Sequence, residues 1–179
     1  LLLKKKNKKK SKIYLVNSQK EAEKNIFLKS YFKNNIEKYD RFKSSKFVFL
    51  KKNNDLIASG WICSKKIATW NIEEIDKQIN IKNKKILYDF ETNKKYRNKG
   101  YYTLILKLLQ NKYLKKNLLI YTQANNYPAV KAITNAGFKF KYSLKNFNYN
   151  IWIAASLSQK AINLYSFSLK TSVKALYSS

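Results

Sequence analysis

The stretch that decides the reading runs Ile86-Leu87-Tyr88-Asp89-Phe90-Glu91-Thr92, continues through polar residues 93–96, and ends Arg97-Asn98-Lys99-Gly100-Tyr101-Tyr102. The first run is apolar-rich and reads as a strand, the middle as a loop. Gly100 then opens an amphipathic helix over 100–114. A glycine fits where the backbone must turn sharply or come close to a ligand. Successive free N–H groups and the positive end of a helix dipole make an anion site at such a junction. Arg97, one of only two arginines in the chain, stands at its mouth.

Working outward, residues 118–123 read as a strand, 126–136 as a helix stopped by Gly137, and 138–144 and 149–154 as two more strands. Upstream, 13–16 is a short strand. Ser18 then caps a helix, Glu21 completes a capping box, and Ala22, Ile26, Tyr31, Phe32 and Ile36 fall on one stripe. Residues 47–50 and 56–63 form a hairpin. Ile72, Ile75 and Ile79, with Glu73 and Glu74 in a first turn, predict a short helix over 71–79. No linker divides the chain. One α/β domain with a mixed sheet over residues 11–154 is the economical reading. Residues 1–10 read as a disordered basic tail. Residues 155–179 carry Ile162, Tyr165, Leu169, Val173 and Leu176 on one face and read as an amphipathic helix that packs on the domain.

Composition narrows the chemistry by what is missing. Among 179 residues there is no histidine, no methionine and one cysteine, Cys63. Nucleophile–histidine couples and histidine or cysteine-rich metal sites are therefore excluded, and no metal is expected. A lone cysteine forms no internal disulfide and suits the reducing cytoplasm. No apolar run is long enough for a membrane span. The net charge of +28 points toward polyanions. However, 38 basic residues include only Arg41 and Arg97 as arginine. Lysine, asparagine, isoleucine, tyrosine and phenylalanine make up more than half the chain, the set that AT-rich codons favour. The lysine excess is read as composition, with no specific nucleic-acid partner.

The segment Asn126-Tyr127-Pro128-Ala129, followed by seven residues and then Gly137-Phe138, supplies a second motif. The pair resembles the GCN5-related N-acetyltransferase superfamily, with its R/Q-x-x-G-x-G/A pyrophosphate loop and its N-x-x-S/A-x7-G-F helix. The resemblance covers about residues 11–154 and implies a mostly antiparallel central sheet flanked by helices, splayed between its fourth and fifth strands. It further implies acetyl-coenzyme A, or another acyl-coenzyme A, as donor. The pyrophosphate would lie on the backbone from Arg97 through Asn98, Lys99, Gly100 and Tyr101 to Tyr102. The pantetheine arm would lie along Phe90, Glu91 and Thr92, with Asn126 opposite. Two positions depart from the family. Tyr102 replaces a small residue, so its side chain must point away from the phosphates. Ile133 replaces a tyrosine that protonates the leaving thiolate in many members.

The implied reaction is direct attack of a primary amine of a small molecule, sugar or protein N-terminus on the thioester. A strand N–H would polarise the carbonyl, and a base would take the ammonium proton. Period-two alternation puts Asp89 and Glu91 on one face of their strand, with Tyr88 and Phe90 opposite. Glu91 is the first choice of base and Asp89 the second. So basic a chain repels a polycationic acceptor, which favours neutral or anionic ones. A homodimer is left open. The rival reading is a catalytically idle basic module of the same fold that binds polyanions such as nucleic acid.

Overall fold

The computed structural model describes residues 12–63, 65–114 and 117–156. The expected basic tail, and all but the first two residues of the expected C-terminal helix, lie outside the described residues. In chain order the elements are β1 (Tyr14–Val16), α1 (Gln19–Glu23), α2 (Ile26–Lys33), a 3-10 segment (Ile36–Lys43), β2 (Ser45–Lys52) and β3 (Asp55–Cys63). There follow β4 (Thr69–Ile72), β5 (Lys77–Asn80), β6 (Lys84–Thr92), α3 (Tyr101–Lys112), β7 (Asn117–Gln123), α4 (Tyr127–Asn135), β8 (Lys139–Lys145) and β9 (Asn150–Ala155). Seven strands form one sheet in the order β1-β2-β3-β6-β7-β9-β8, with β4 and β5 as a separate hairpin. Every neighbouring pair in the large sheet is antiparallel except β6 with β7. Among the described residues no helix is long and apolar enough to cross a membrane.

The middle of the sheet is buried on both faces, and β2 shows how. Val48 and Leu50 point into a core shared with Ile105, Leu106 and Leu109 of α3 and Ile133 of α4. Phe47 and Phe49 point the other way, into an aromatic cluster with Leu28 and Phe32 of α2 and Trp61 of β3. A strand covered on both sides reads as a continuous apolar run, as Phe47–Leu50 does. The second half of that face is covered by the hairpin. Ile72, Ile75 and Ile79 pack there against Ile86, Leu119, Ile151 and Ile153.

Two expected helices are corrected. Residues 71–79 are the hairpin's turn and flanks, with Ile72 paired to Lys77 and Trp70 to Ile79. Asp76 takes a left-handed φ of 48°, which closes a turn and ends any helix. The three isoleucines are all buried, so their spacing is met by two strands and a turn as well as by a helix. The single long helix after Ser18 is instead α1, α2 and the 3-10 segment. Asn25 is extended (φ −99°, ψ 110°) and resets the phase between α1 and α2. Ala22 and Phe32 are buried as expected, whereas Ile26 is 89% and Ile36 67% exposed.

Candidate active site

The parallel pairing of β6 with β7 runs only from Lys84 opposite Asn117 to Leu87 opposite Ile120. Beyond that point β6 stays with β3 and β7 stays with β9, so the two strands splay. These are the fourth and fifth strands of the large sheet. Backbone groups on the inner edge of the splay have no strand partner across it.

On its other edge β6 carries a bulge. Trp61 is opposite Tyr88 and Ser59 is opposite Glu91, so Asp89 and Phe90 together face Gly60. Asp89 has φ 49°. An inserted residue resets the alternation of side chains downstream. The expected sharing of one face by Tyr88 and Phe90 is therefore overturned. Tyr88 packs at a tilt against Trp70 of the hairpin, centroids 4.7 Å apart, while Phe90 packs on the α3 side against Tyr102 at 6.2 Å.

Asp89 and Glu91 are drawn together by cations from the 3-10 segment. Lys38 Nζ is 3.7 Å from Asp89 Oδ2 and 3.4 Å from Glu91 Oε1. Arg41 pairs with Asp89, and its guanidinium lies over the rings of Trp61 and Tyr88. The Tyr31 hydroxyl donates to Glu91 Oε1 at 2.5 Å. Burial, reinforced by that carboxylate, pushes the Tyr31 pKa up to about 12. Burial works against the charge on Lys38, but its contacts with Tyr31, Asp89 and Glu91 prevail and raise its pKa.

The loop after β6 is pinned at both ends. The Asn93 N–H donates to Ile57 O and its side-chain oxygen accepts from Lys95 N–H. Arg97 Nε donates to Thr92 O at 3.1 Å. Asn98 (φ 60°) and Gly100 (φ 74°) are both left-handed, and Gly100 caps α3 without a side chain. Turns of this kind, followed by the unpaired N–H groups of a helix start, form a concavity suited to an anion. A cleft of about 560 Å³ lies there, lined by Thr92, Arg97, Asn98, Gly100 and Tyr101 and extending to Phe90, Glu91, Tyr102 and Asn126. Lys99 does not line it; its ammonium donates to Lys95 O at 3.2 Å.

Tyr102 packs on Phe90, and its hydroxyl makes no hydrogen bond with a described residue. Burial raises its pKa, so the phenol is neutral at all ordinary pH. Asn126 caps α4, its Oδ1 accepting from Ala129 N–H at 3.3 Å. Ile133 is fully buried in the core and offers no proton donor.

A second cavity of about 530 Å³ opens where the 3-10 segment, the hairpin and the splayed strands meet. It shares Phe90, Tyr102, Asn126 and Ala129 with the first. Its walls include Asp89, Asp40, Glu73, Glu74, Trp70 and Tyr121. Sequence reasoning missed Asp40, Trp70, Glu73 and Glu74 as site residues, and saw Tyr121 only as a spare proton donor. The available signal was the scarcity of acids in so basic a chain. Among the described residues no group of three or more His, Cys, Asp and Glu is placed to hold a metal ion.

No protein-family model matches the sequence, and no curated protein matches it. Solved structures do. Aminoglycoside acetyltransferase AAC(6')-Ib, in complex with coenzyme A and kanamycin, superposes with a TM-score of 0.57 at 11% identity, over 85% of this chain and 98% of that one. The ribosomal-protein-S18-alanine N-acetyltransferase from Escherichia coli matches with a TM-score of 0.51 at 13% identity, over 81% and 93%. RimL, a ribosomal L7/L12 alpha-N-protein acetyltransferase, matches in its apo form with a TM-score of 0.54 at 10% identity, over 81% and 92%. The chain has the GCN5-related N-acetyltransferase fold. Within this acetyltransferase fold the bulged β6, the splay and the loop before α3 are the features that shape both cavities.

Proposed function

We propose that the protein is an acyl-coenzyme-A-dependent N-acyltransferase that moves an acetyl group from acetyl-coenzyme A to a primary amine. The observation that carries this is the meeting of two cavities at the splay, one on the left-handed loop and helix start, the other carboxylate-lined. A two-substrate transfer needs two such sites sharing a wall where the reacting groups meet. Solved neighbours of the same fold have coenzyme A bound, which supports the donor. The fit is physical too: backbone N–H groups from Asn98 to Tyr102 and the Arg97 side chain suit a pyrophosphate, and the unpaired edge of β6 suits an extended amide-bearing arm.

Acetyl-coenzyme A supplies the acetyl group as a thioester. In the proposed reaction the chain's own residues do the rest. Phe90 and Tyr102 wall off water between the cavities, and a β6 backbone N–H in the splay polarises the thioester carbonyl. Asp89, on the wall of the second cavity, accepts the ammonium proton through water. Glu91 lines the donor cleft and not the second cavity, which supports a positioning role for it and Asp89 as the base. The acceptor amine belongs to a small molecule, a sugar or a protein N-terminus. The test is release of free thiol from acetyl-coenzyme A on mixing with primary amines. Amine-dependent release supports the assignment; binding without release from any amine supports the idle module.

A further inference from the structure

We infer that the acceptor carries a second positive charge besides the amine it presents, as a small diamine or polyamine does. This rests on reading the second cavity as the acceptor site. The chain has 38 basic and 10 acidic residues, so scattered charge would leave most surfaces strongly positive. The lining of this cavity inverts that ratio, with Asp40, Glu73, Glu74 and Asp89 beside one basic residue, Arg41, although Lys38 also reaches Asp89 at 3.7 Å. Arg41 is already committed to Asp89, and Asp40 pairs with Lys43 at 2.7 Å on the exposed side.

Glu73 and Glu74 are different. Neither side chain makes an ion pair or hydrogen bond with a described residue, in a chain with a lysine at every turn. They sit on the tight turn between β4 and β5, whose Trp70 is on the same cavity wall. Their charge reaches the cavity interior: burial first, then Glu74 and Glu73, push the Tyr121 phenol up to about 12. Tyr102 is on the same cavity wall, and its hydroxyl, which makes no hydrogen bond with a described residue, can accept from an ammonium. Aromatic faces beside carboxylates recognise alkylammonium groups by cation–π attraction as well as charge. One ammonium is thus held at Glu73 and Glu74 while the other, nearer Asp89, loses its proton and meets the donor. The net field of the molecule opposes this preference, so the preference can come only from these local carboxylates.

Three acceptors of similar length separate the possibilities: putrescine with a far ammonium, butylamine with a far methyl, and γ-aminobutyrate with a far carboxylate. Calorimetry at low ionic strength reads their binding, and acetyl-coenzyme A is titrated separately. Putrescine is expected to bind about tenfold more tightly than butylamine, the scale of two partly exposed ion pairs, with γ-aminobutyrate weakest. In the double variant Glu73→Gln, Glu74→Gln the putrescine advantage should fall to about twofold or less. Both residues are exposed, and circular dichroism checks that the variant is folded. The inference is overturned if γ-aminobutyrate or butylamine binds as well as putrescine, or if the double variant keeps the advantage. If acetyl-coenzyme A binds while the amine order is reversed, only the acceptor class is wrong. If putrescine binds with the expected order and acetyl-coenzyme A does not, the acyl-transfer reading fails and the dication site stands.

Discussion

The ring of Phe90 lies against the α-carbon of Gly60, so a Cβ at residue 60 would overlap it. Gly60 is the single residue facing the two-residue bulge, which is why the bulge can fold its aromatic ring across β3. Gly60→Ala must push Phe90 toward the shared wall of the two cavities or distort the register. The expected cost is about 1–3 kcal/mol, the usual range for overpacking, read as a lower melting temperature. Acetyl-coenzyme A affinity should fall with it. A variant as stable as the parent would show that the bulge is not set by this contact.

The two carboxylates of β6 are separable by substitution. Asp89→Asn should lower turnover about a hundredfold or more, the scale of a positioned base, and the loss should shrink at alkaline pH as the acceptor deprotonates. Glu91→Gln, which leaves the second cavity intact, should cost less and show no such pH dependence. Steady-state pH profiles of both variants decide it. A larger, pH-dependent loss in Glu91→Gln would hand the proton to the donor-side carboxylate.

Tyr31 gives a stability signature. Its folded pKa is about 12 against an ordinary 10.0. A group raised in this way contributes stability that is fully present below pH 10 and is lost as pH rises through 10 toward 12. Tyr121, raised to about 12 mainly by burial, and Lys38, also raised, act in the same direction. The parent's melting temperature should therefore fall steeply on the alkaline side, and Tyr31→Phe should flatten part of that fall. Parallel slopes for the two proteins would mean that Tyr31 is not held buried against Glu91 in solution.

The lysine excess makes a prediction of its own. Binding to DNA or RNA duplexes of unrelated sequence should be weak, equal between them, and largely gone near physiological salt. Fluorescence polarisation with two such duplexes reads this. Tight, sequence-selective binding at that salt would favour the basic module.

Much of this could be read from residue order because local signals there agreed with the global fold. Gly100 before an amphipathic helix, the β2–β3 hairpin and the helix ended by Gly137 each needed only neighbours in sequence. Two failures came from features that such patterns do not encode. Asn25 and Asp76 switch the backbone out of helix by one residue each, and helical periodicity counted across them is out of phase. The bulge at Asp89 depends on the partner strand, since only the pairing with Gly60 shows that two residues face one. The acidic cavity was hidden for a third reason. Asp40, Glu73, Glu74 and Asp89 come from three separate segments, and only the topology gathers them.

If the Arg97–Tyr102 loop holds the diphosphate of coenzyme A on its backbone, a thermal titration of parent and Gly100→Val with acetyl-coenzyme A will separate the two proteins. Gly100 has open space around it but a φ of 74°, so valine is disfavoured by conformation rather than by collision and disturbs the direction of the loop's N–H groups. At a hundredfold excess over Kd, ligand binding should raise the parent's melting temperature by about 5–10 °C. Gly100→Val should retain its circular-dichroism spectrum and lose most of that shift. A parent that does not respond, or a Gly100→Val protein that responds as the parent does, would mean that this loop does not bind the diphosphate.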